Sequence, residues 1–156
     1  MTGEFAKDTV VPVAKSRAEI EALLTRYGAD TFASGWDANR ATIGFRCRGR
    51  FVRFSLQMPS LSEFKKHPRY TWKSLTDAQA QVKLDQEMRR RWRALALVIK
   101  AKLEAVATGI TTFEEEFLAH IVLPDGDTVG AWMAPQVEAA YSTGKMPSLL
   151  PAPEGR

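Results

Sequence analysis

The chain lacks most of what marks an enzyme. Its 156 residues hold one cysteine and two histidines. A lone Cys47 excludes an internal disulfide and a cysteine-rich zinc site, and it fits a reducing compartment. No Walker loop, HExxH, GxSxG or Cys/His pairing occurs, and His67 and His120 have no acidic orienter in view beyond Glu116. Glu116 and His120 stand four apart, and Asp125 and Asp127 flank Gly126, which is too few ligands for a metal centre. No catalytic residue, metal or cofactor is therefore assigned, and a non-enzyme is expected. Long apolar runs are missing too. The longest, Ala94 to Ile99, falls far short of the roughly 20 residues a membrane helix needs, and MTGEFAKDTV carries no signal-peptide core. A cytoplasmic protein with no membrane role is the expectation.

Acid is scarce where base accumulates. Arg40 to Thr76 contains nine Lys or Arg and a single acid, Glu63. Over residues 40–108 sixteen basic groups face five acidic ones, whereas residues 109–156 carry two and seven. A net charge of +4 thus conceals a basic middle and an acidic end, the asymmetry of a protein that meets phosphate on one side and something else, or itself, on the other.

The densest basic stretch, GFRCRGRFVRFSL, reads as a β-hairpin with Arg48-Gly49 as its turn. That register opposes Cys47 to Arg50, Phe45 to Val52 and Ile43 to Phe54 on an apolar face. The other face then pairs Arg46 with Phe51 and sets Arg53 beside Gly44. The run TFASGWDANRAT supplies a third strand through an Asp37-to-Arg40 loop, with Phe32 and Trp36 on the apolar side and only Thr31, Ala33 and Gly35 on the other. The result is a shallow basic surface with one exposed ring, on which a nucleic-acid backbone could lie. Charge on a sheet face also serves simple solubility, although mixed signs would do that equally well.

Upstream, SRAEIEALLTRYG predicts a short helix with a Ser16–Glu19 capping box, a stripe of Ile20, Leu23, Leu24 and Tyr27, and Gly28 as its stop. Downstream, Pro59 to Thr76 reads as a loop in which Lys65, Lys66, Arg69 and Lys73 interleave with Phe64, Tyr70 and Trp72. Such a surface can stack bases and track phosphates, unless the rings anchor the loop to the core. Thr76 opens a long helix ending at Gly109, with a stripe of Leu84, Met88, Trp92, Leu95, Ile99, Leu103 and Val106. Arg89, Arg90, Arg91 and Arg93 crowd its first half. At about 45 Å by the helical rise, this helix is expected to project and to need a partner: a second copy through Leu84, Met88 and Trp92, or phosphate through Arg89, Arg90, Arg91 and Arg93. A short helix capped by Thr111 or Thr112 follows, then a turn at Asp125-Gly126, a helix kinked or restarted at Pro135, and an extended proline-broken end. The fold class is α+β: helix, three-stranded antiparallel meander, long helix, small helical C-terminal part. The divisions are a tail over 1–14, one domain over 15–143 and an extended tail over 144–156.

The stretch from Trp92 to Tyr141, WRALALVIKAKLEAVATGITTFEEEFLAHIVLPDGDTVGAWMAPQVEAAY, with the sheet sequence GWDANRATIGFRCRGRFVRF, resembles a family of small proteins of tailed bacteriophages and prophages. The likeness runs from Val11 to Pro151. It implies a phage protein in the bacterial cytoplasm and carries over no activity and no site. The element order is also similar to that of double-stranded-RNA-binding domains and phage annealing proteins, a likeness of topology alone. The expected function is a nucleic-acid-binding accessory of phage replication or recombination, single-stranded DNA favoured. Its contact residues are expected to be Arg46, Arg48, Arg50, Phe51, Arg53, Lys65, Lys66, Arg69, Tyr70, Trp72, Lys73, Arg89, Arg90 and Arg93. The alternative is a protein–protein interaction module, an inhibitor of a host or defence protein or an oligomeric scaffold.

Overall fold

Arg48 and Gly49 both take positive φ, 52° and 73°. A two-residue turn of that hand matches the twist of the strands it joins, and glycine tolerates the conformation freely. It closes β2 (Arg40–Cys47) onto β3 (Arg50–Gln57) with Phe45 opposite Val52, Ile43 opposite Phe54 and Arg46 opposite Phe51. β1 (Thr31–Trp36) pairs with the other edge of β2, giving an antiparallel sheet in the order β1-β2-β3. The β1–β2 turn is locked by Asp37, whose Oδ1 accepts from the backbone N–H groups of Asn39 and Arg40, both at 2.8 Å. The computed structural model describes residues 3–66, 69–70 and 72–146.

Helices cover one side of the sheet. α1 (Gly3–Arg26) runs beside α2 (Asp77–Ala107), and the two bring Ile20, Leu24, Trp92, Leu95, Ile99 and Leu103 onto Ile43, Phe45, Val52 and Phe54. The stop at Gly28 is as expected: its φ is 94°, and Ala29 N–H reaches back to the Leu24 carbonyl. The start is not. A tail over 1–14 was expected, but the backbone is helical from Gly3, through Pro12, and the Ser16 cap is passed over. Packing is the reason: Val13 sits against the core beyond that cap, and tertiary contact outweighs a local capping signal. The Thr76 capping box at the head of α2 forms as expected, with Thr76 Oγ1 accepting from Gln79 N–H at 3.2 Å.

Phe117 is the hub of the core. It lies in α3 (Phe113–Phe117), capped by Thr112 and Glu115, and is fully buried. Its ring meets Phe45 and Phe54 edge-on at 5.9 and 6.3 Å, and Phe113 in a stack at 4.7 Å. Offset and edge-on pairs of this kind add to the stabilisation from burial. A single 3-10 turn, Leu118–His120, follows, and His120 stacks on Phe54 at 4.0 Å. Val122 N–H then bonds the Phe51 carbonyl at 2.8 Å, so residues 121–122 pair with the free edge of β3. α4 (Val129–Thr143) starts at the Thr128 cap and ends at Gly144, φ 67°. A kink or restart was expected at Pro135; the helix does not restart, since Val129–Thr143 runs as one element with Pro135 inside it. The extended end expected over 144–156 lies outside the described residues beyond residue 146. Among the described residues no helix is long and apolar enough to cross a membrane.

Two measurements check this core. Phe117→Ala should lower the unfolding free energy by about 3–5 kcal/mol, as buried phenylalanine truncations do; a loss under about 1 kcal/mol in urea denaturation would remove Phe117 from the centre of the fold. His120 is half-buried, and burial, assisted by Lys102, pushes its pKa below the usual imidazole value against a hydrogen bond to the Arg53 backbone. Its neutral form is therefore favoured by folding. That stabilisation is complete above the unfolded pKa of about 6.5 and declines as pH falls through the lower folded value. Stability that stays level from neutral pH down to about pH 5 would contradict the assignment.

Candidate nucleic-acid interface

Alternation along the strands turns Thr31, Ala33 and Gly35 of β1, Thr42, Gly44 and Arg46 of β2, and Phe51, Arg53 and Ser55 of β3 away from the helices. The expected opposition of Arg46 to Phe51 is present, and the Phe51 ring is 53% exposed. That exposure rules out a sheet face fully covered by the long helix or the 59–76 loop. Arg46 is held in place. Its Nε donates to Asp30 Oδ1 at 2.7 Å, and its guanidinium lies 5.6 Å from the Phe51 ring centre. The Arg46 hydrogen bond keeps the Asp30 carboxyl below its usual range. Arg53 is half-buried beside Gly44, whose missing side chain leaves the surface shallow there.

The fourteen expected contact residues do not form one patch. Arg46, Phe51 and Arg53 share the outer face. Arg50 opposes Cys47, so its strand position belongs to the helix-covered side, where it is exposed at the sheet's end. Arg48 lies at the turn with its guanidinium 5.9 Å from the Phe113 ring, again on the helix side. The loop residues gather at the opposite end of β3, some 20 Å from Phe51 by the rise of a strand. There the loop is pinched shut: Lys66 and Ser74 form a bridge, and Leu75 N–H bonds the Lys65 carbonyl at 2.7 Å. Phe64 is half-buried, whereas the later rings are exposed. Tyr70 and Trp72 lie 5.7 Å apart and are 41% and 79% exposed, with Lys73 Nζ 6.0 Å from the Trp72 ring. Arg69 is exposed beside them, and His67 lies outside the described residues.

Several of the expected cations are already engaged. Lys65 pairs with Asp77 at 2.9 Å. Arg90 and Arg91 both bind Glu87 at 2.8 Å, which draws the Glu87 pKa down to about 2, and Arg91 also donates to the Gln57 carbonyl. Arg89 is half-buried and Arg93 exposed. The stripe expected to meet a second copy is divided as well: Trp92 is 2% exposed in the core, and Leu84 and Met88 are half-buried along a groove with Trp36. α1, longer than expected, flanks α2 and removes part of the reason for it to project.

Elsewhere the chemistry is quiet. Cys47 is buried, which raises its thiol pKa and keeps it protonated. Glu116 binds Lys102 at 3.0 Å and so is not shared with His120, and among the described residues no three potential metal ligands gather. Asp30 went unrecognised in the sequence, although a carboxylate just ahead of β1, near the Arg46 end of β2, was a usable signal. Trp36 has the expected strand parity, opposite Ala41, yet is 71% exposed because it ends its strand at the sheet's margin, with Arg17 5.0 Å from its ring. No family profile, curated protein or solved structure matches this chain.

The Arg46–Asp30 pair is a positioning contact and not a structural prop. Both side chains are about half exposed, and surface pairs contribute about 0–1 kcal/mol. Asp30→Ala should accordingly shift thermal stability by no more than that, with the Arg46 amide and side-chain NMR signals showing the released guanidinium. A larger destabilisation would mean the pair holds β1 to β2.

Proposed function

We propose that this chain binds single-stranded nucleic acid on the outer face of its sheet, as an accessory protein of phage replication or recombination. The observation that carries the reading is the exposed Phe51 ring between Arg46 and Arg53 on a floor of small residues. A base stacks on such a ring whatever its identity, because every base has a π-face, and the adjacent guanidinium groups meet the backbone. A duplex keeps its bases stacked on each other and gains only the charge term. The exposed Tyr70–Trp72 loop, with Arg69 and Lys73, offers a second stacking point farther along a strand long enough to reach it.

Fluorescence anisotropy with a labelled oligo-dT and a duplex of equal length, across a salt series, tests this. Affinity for the single strand should exceed that for the duplex and fall steeply with salt, and Arg46→Ala should reduce the log–log slope by about 0.7. Phe51→Ala should weaken single-strand binding by about 1–3 kcal/mol with melting temperature nearly unchanged. Salt-independent binding, or Phe51→Ala lost to unfolding, would refute the proposal.

A protein-interaction module is the second reading, and α4 favours it. None of its residues is buried, and Trp132, Val137 and Tyr141 are exposed on a helix that meets the rest of the chain mainly through the 118–120 turn. A helix of 15 residues is marginal without a packing partner. If copies of the chain meet there, Trp132→Glu with Tyr141→Glu should reduce the particle mass in light scattering; an unchanged mass removes self-association through α4.

A further inference from the structure

On the helix-covered side, α1, the β1–β2 turn and the first half of α2 enclose a groove of about 320 Å³. Its walls are apolar, formed by Met58, Leu84, Met88 and the buried Trp92, and Trp36 stands at its mouth. Methionines line sites that adapt to irregular ligands. The volume falls at the small end of the range typical of small-molecule sites.

One polar group in this groove has no counterpart. Arg17 Nε is buried and has no hydrogen-bond partner, whereas buried donors are nearly always satisfied. Its guanidinium covers one face of the Trp36 indole at 5.0 Å, while the indole as a whole remains 71% exposed. The acid that lines the groove, Asp37, does not bond this Nε; its Oδ1 accepts from the N–H groups of Asn39 and Arg40. The groove therefore combines apolar walls, an aromatic plane open to a ligand, the Asp37 carboxylate at the turn, and one guanidinium whose buried Nε–H has no acceptor within the protein.

We propose that this groove binds a small aromatic carboxylate, its ring system against Trp36 and the methionine wall and its carboxylate accepting from Arg17. A carboxylate matches a single guanidinium, since its oxygens lie in the plane of the N–H fork. A phosphate would bring more negative charge than one cation offsets. Trp92 and Ala41 close the groove from behind, which suits a molecule of one or two rings better than a polymer. The site is separate from the Phe51 face and stands whether or not that face binds nucleic acid.

The test titrates the full chain with 2-naphthoate and, separately, with its neutral analogue 2-naphthylmethanol, following the indole N–H signals of the four tryptophans. Naphthoate should saturate, shifting Trp36 and Trp92 and leaving Trp72 and Trp132 in place. It should bind about tenfold or more tightly than the alcohol, the scale of a hydrogen bond to a charged group. Arg17→Met should abolish that advantage while the alcohol binds as before. Should Arg17→Met fail to fold, Arg17→Lys, which keeps the charge and loses the planar fork, should still shrink it. Absence of saturable binding, equal affinity for acid and alcohol, shifts confined to Trp72 or Trp132, or an advantage that survives both substitutions would each overturn the proposal.

Discussion

Because side chains alternate across a strand, a slip of one residue at Arg48-Gly49 would carry Arg46 and Phe51 toward the core and turn Phe45 and Val52 out to water. Core and candidate surface are thus two consequences of one register. That register is held from both ends. The turn takes the positive φ at Arg48 and Gly49 that strand twist requires, and Phe117 seats against Phe45 and Phe54 only when both rings point to the helices. Neither device suffices alone, since a turn without a core leaves an isolated hairpin marginal. Together they expose Phe51 as a by-product of burying its neighbours.

The acids of this chain act close to home. Glu63 and Glu115 close capping boxes, Asp37 closes a turn, Glu87 collects two arginines and Glu116 holds Lys102. Each neutralises a local feature and leaves the imbalance of the central third largely standing. The Arg46–Asp30 contact is the exception that bears on the outer face. It lowers the net charge there, and it also fixes the guanidinium above Phe51, so a strand arriving at that face meets an arginine already oriented. Pre-ordering a long side chain removes an entropy cost that binding would otherwise carry.

Strand register, the turn, the Gly28 stop and the α2 cap were legible in the sequence because each rests on a local rule: period-two alternation, positive φ at glycine, a side-chain acceptor for an unpaired N–H. What was not legible depends on contacts distant in the chain. α1 passes through the Ser16 cap with Val13 against the core, and Trp92 turns inward because α1 covers that part of the stripe. The list of basic residues was sound as composition and misleading as a site. Strand parity separates Arg50 from Arg46 and Arg53, and the length of β3 separates both from the loop. Parity also assigned Trp36 to the apolar side, but parity says nothing of how closely the helices pack there, and a groove between them leaves the ring exposed with Arg17 of α1 over it.

Three of the exposed aromatic rings, Phe51, Trp36 and Trp72, each have a cation over them: Arg46 at 5.6 Å, Arg17 at 5.0 Å and Lys73 at 6.0 Å. An aromatic ring left bare invites association with other exposed apolar surface. A cation on one face raises the hydration of the neighbourhood and gains from the ring's quadrupole, so the ring tolerates exposure. The opposite face remains available to a flat partner. The three cations differ in what else binds them, and that difference separates the sites. Arg46 has a carboxylate and offers a fixed orientation; Arg17 has a buried N–H with no acceptor and offers an unmet hydrogen bond. The first arrangement suits a partner recognised by stacking and diffuse charge, the second a partner recognised by one well-placed oxygen.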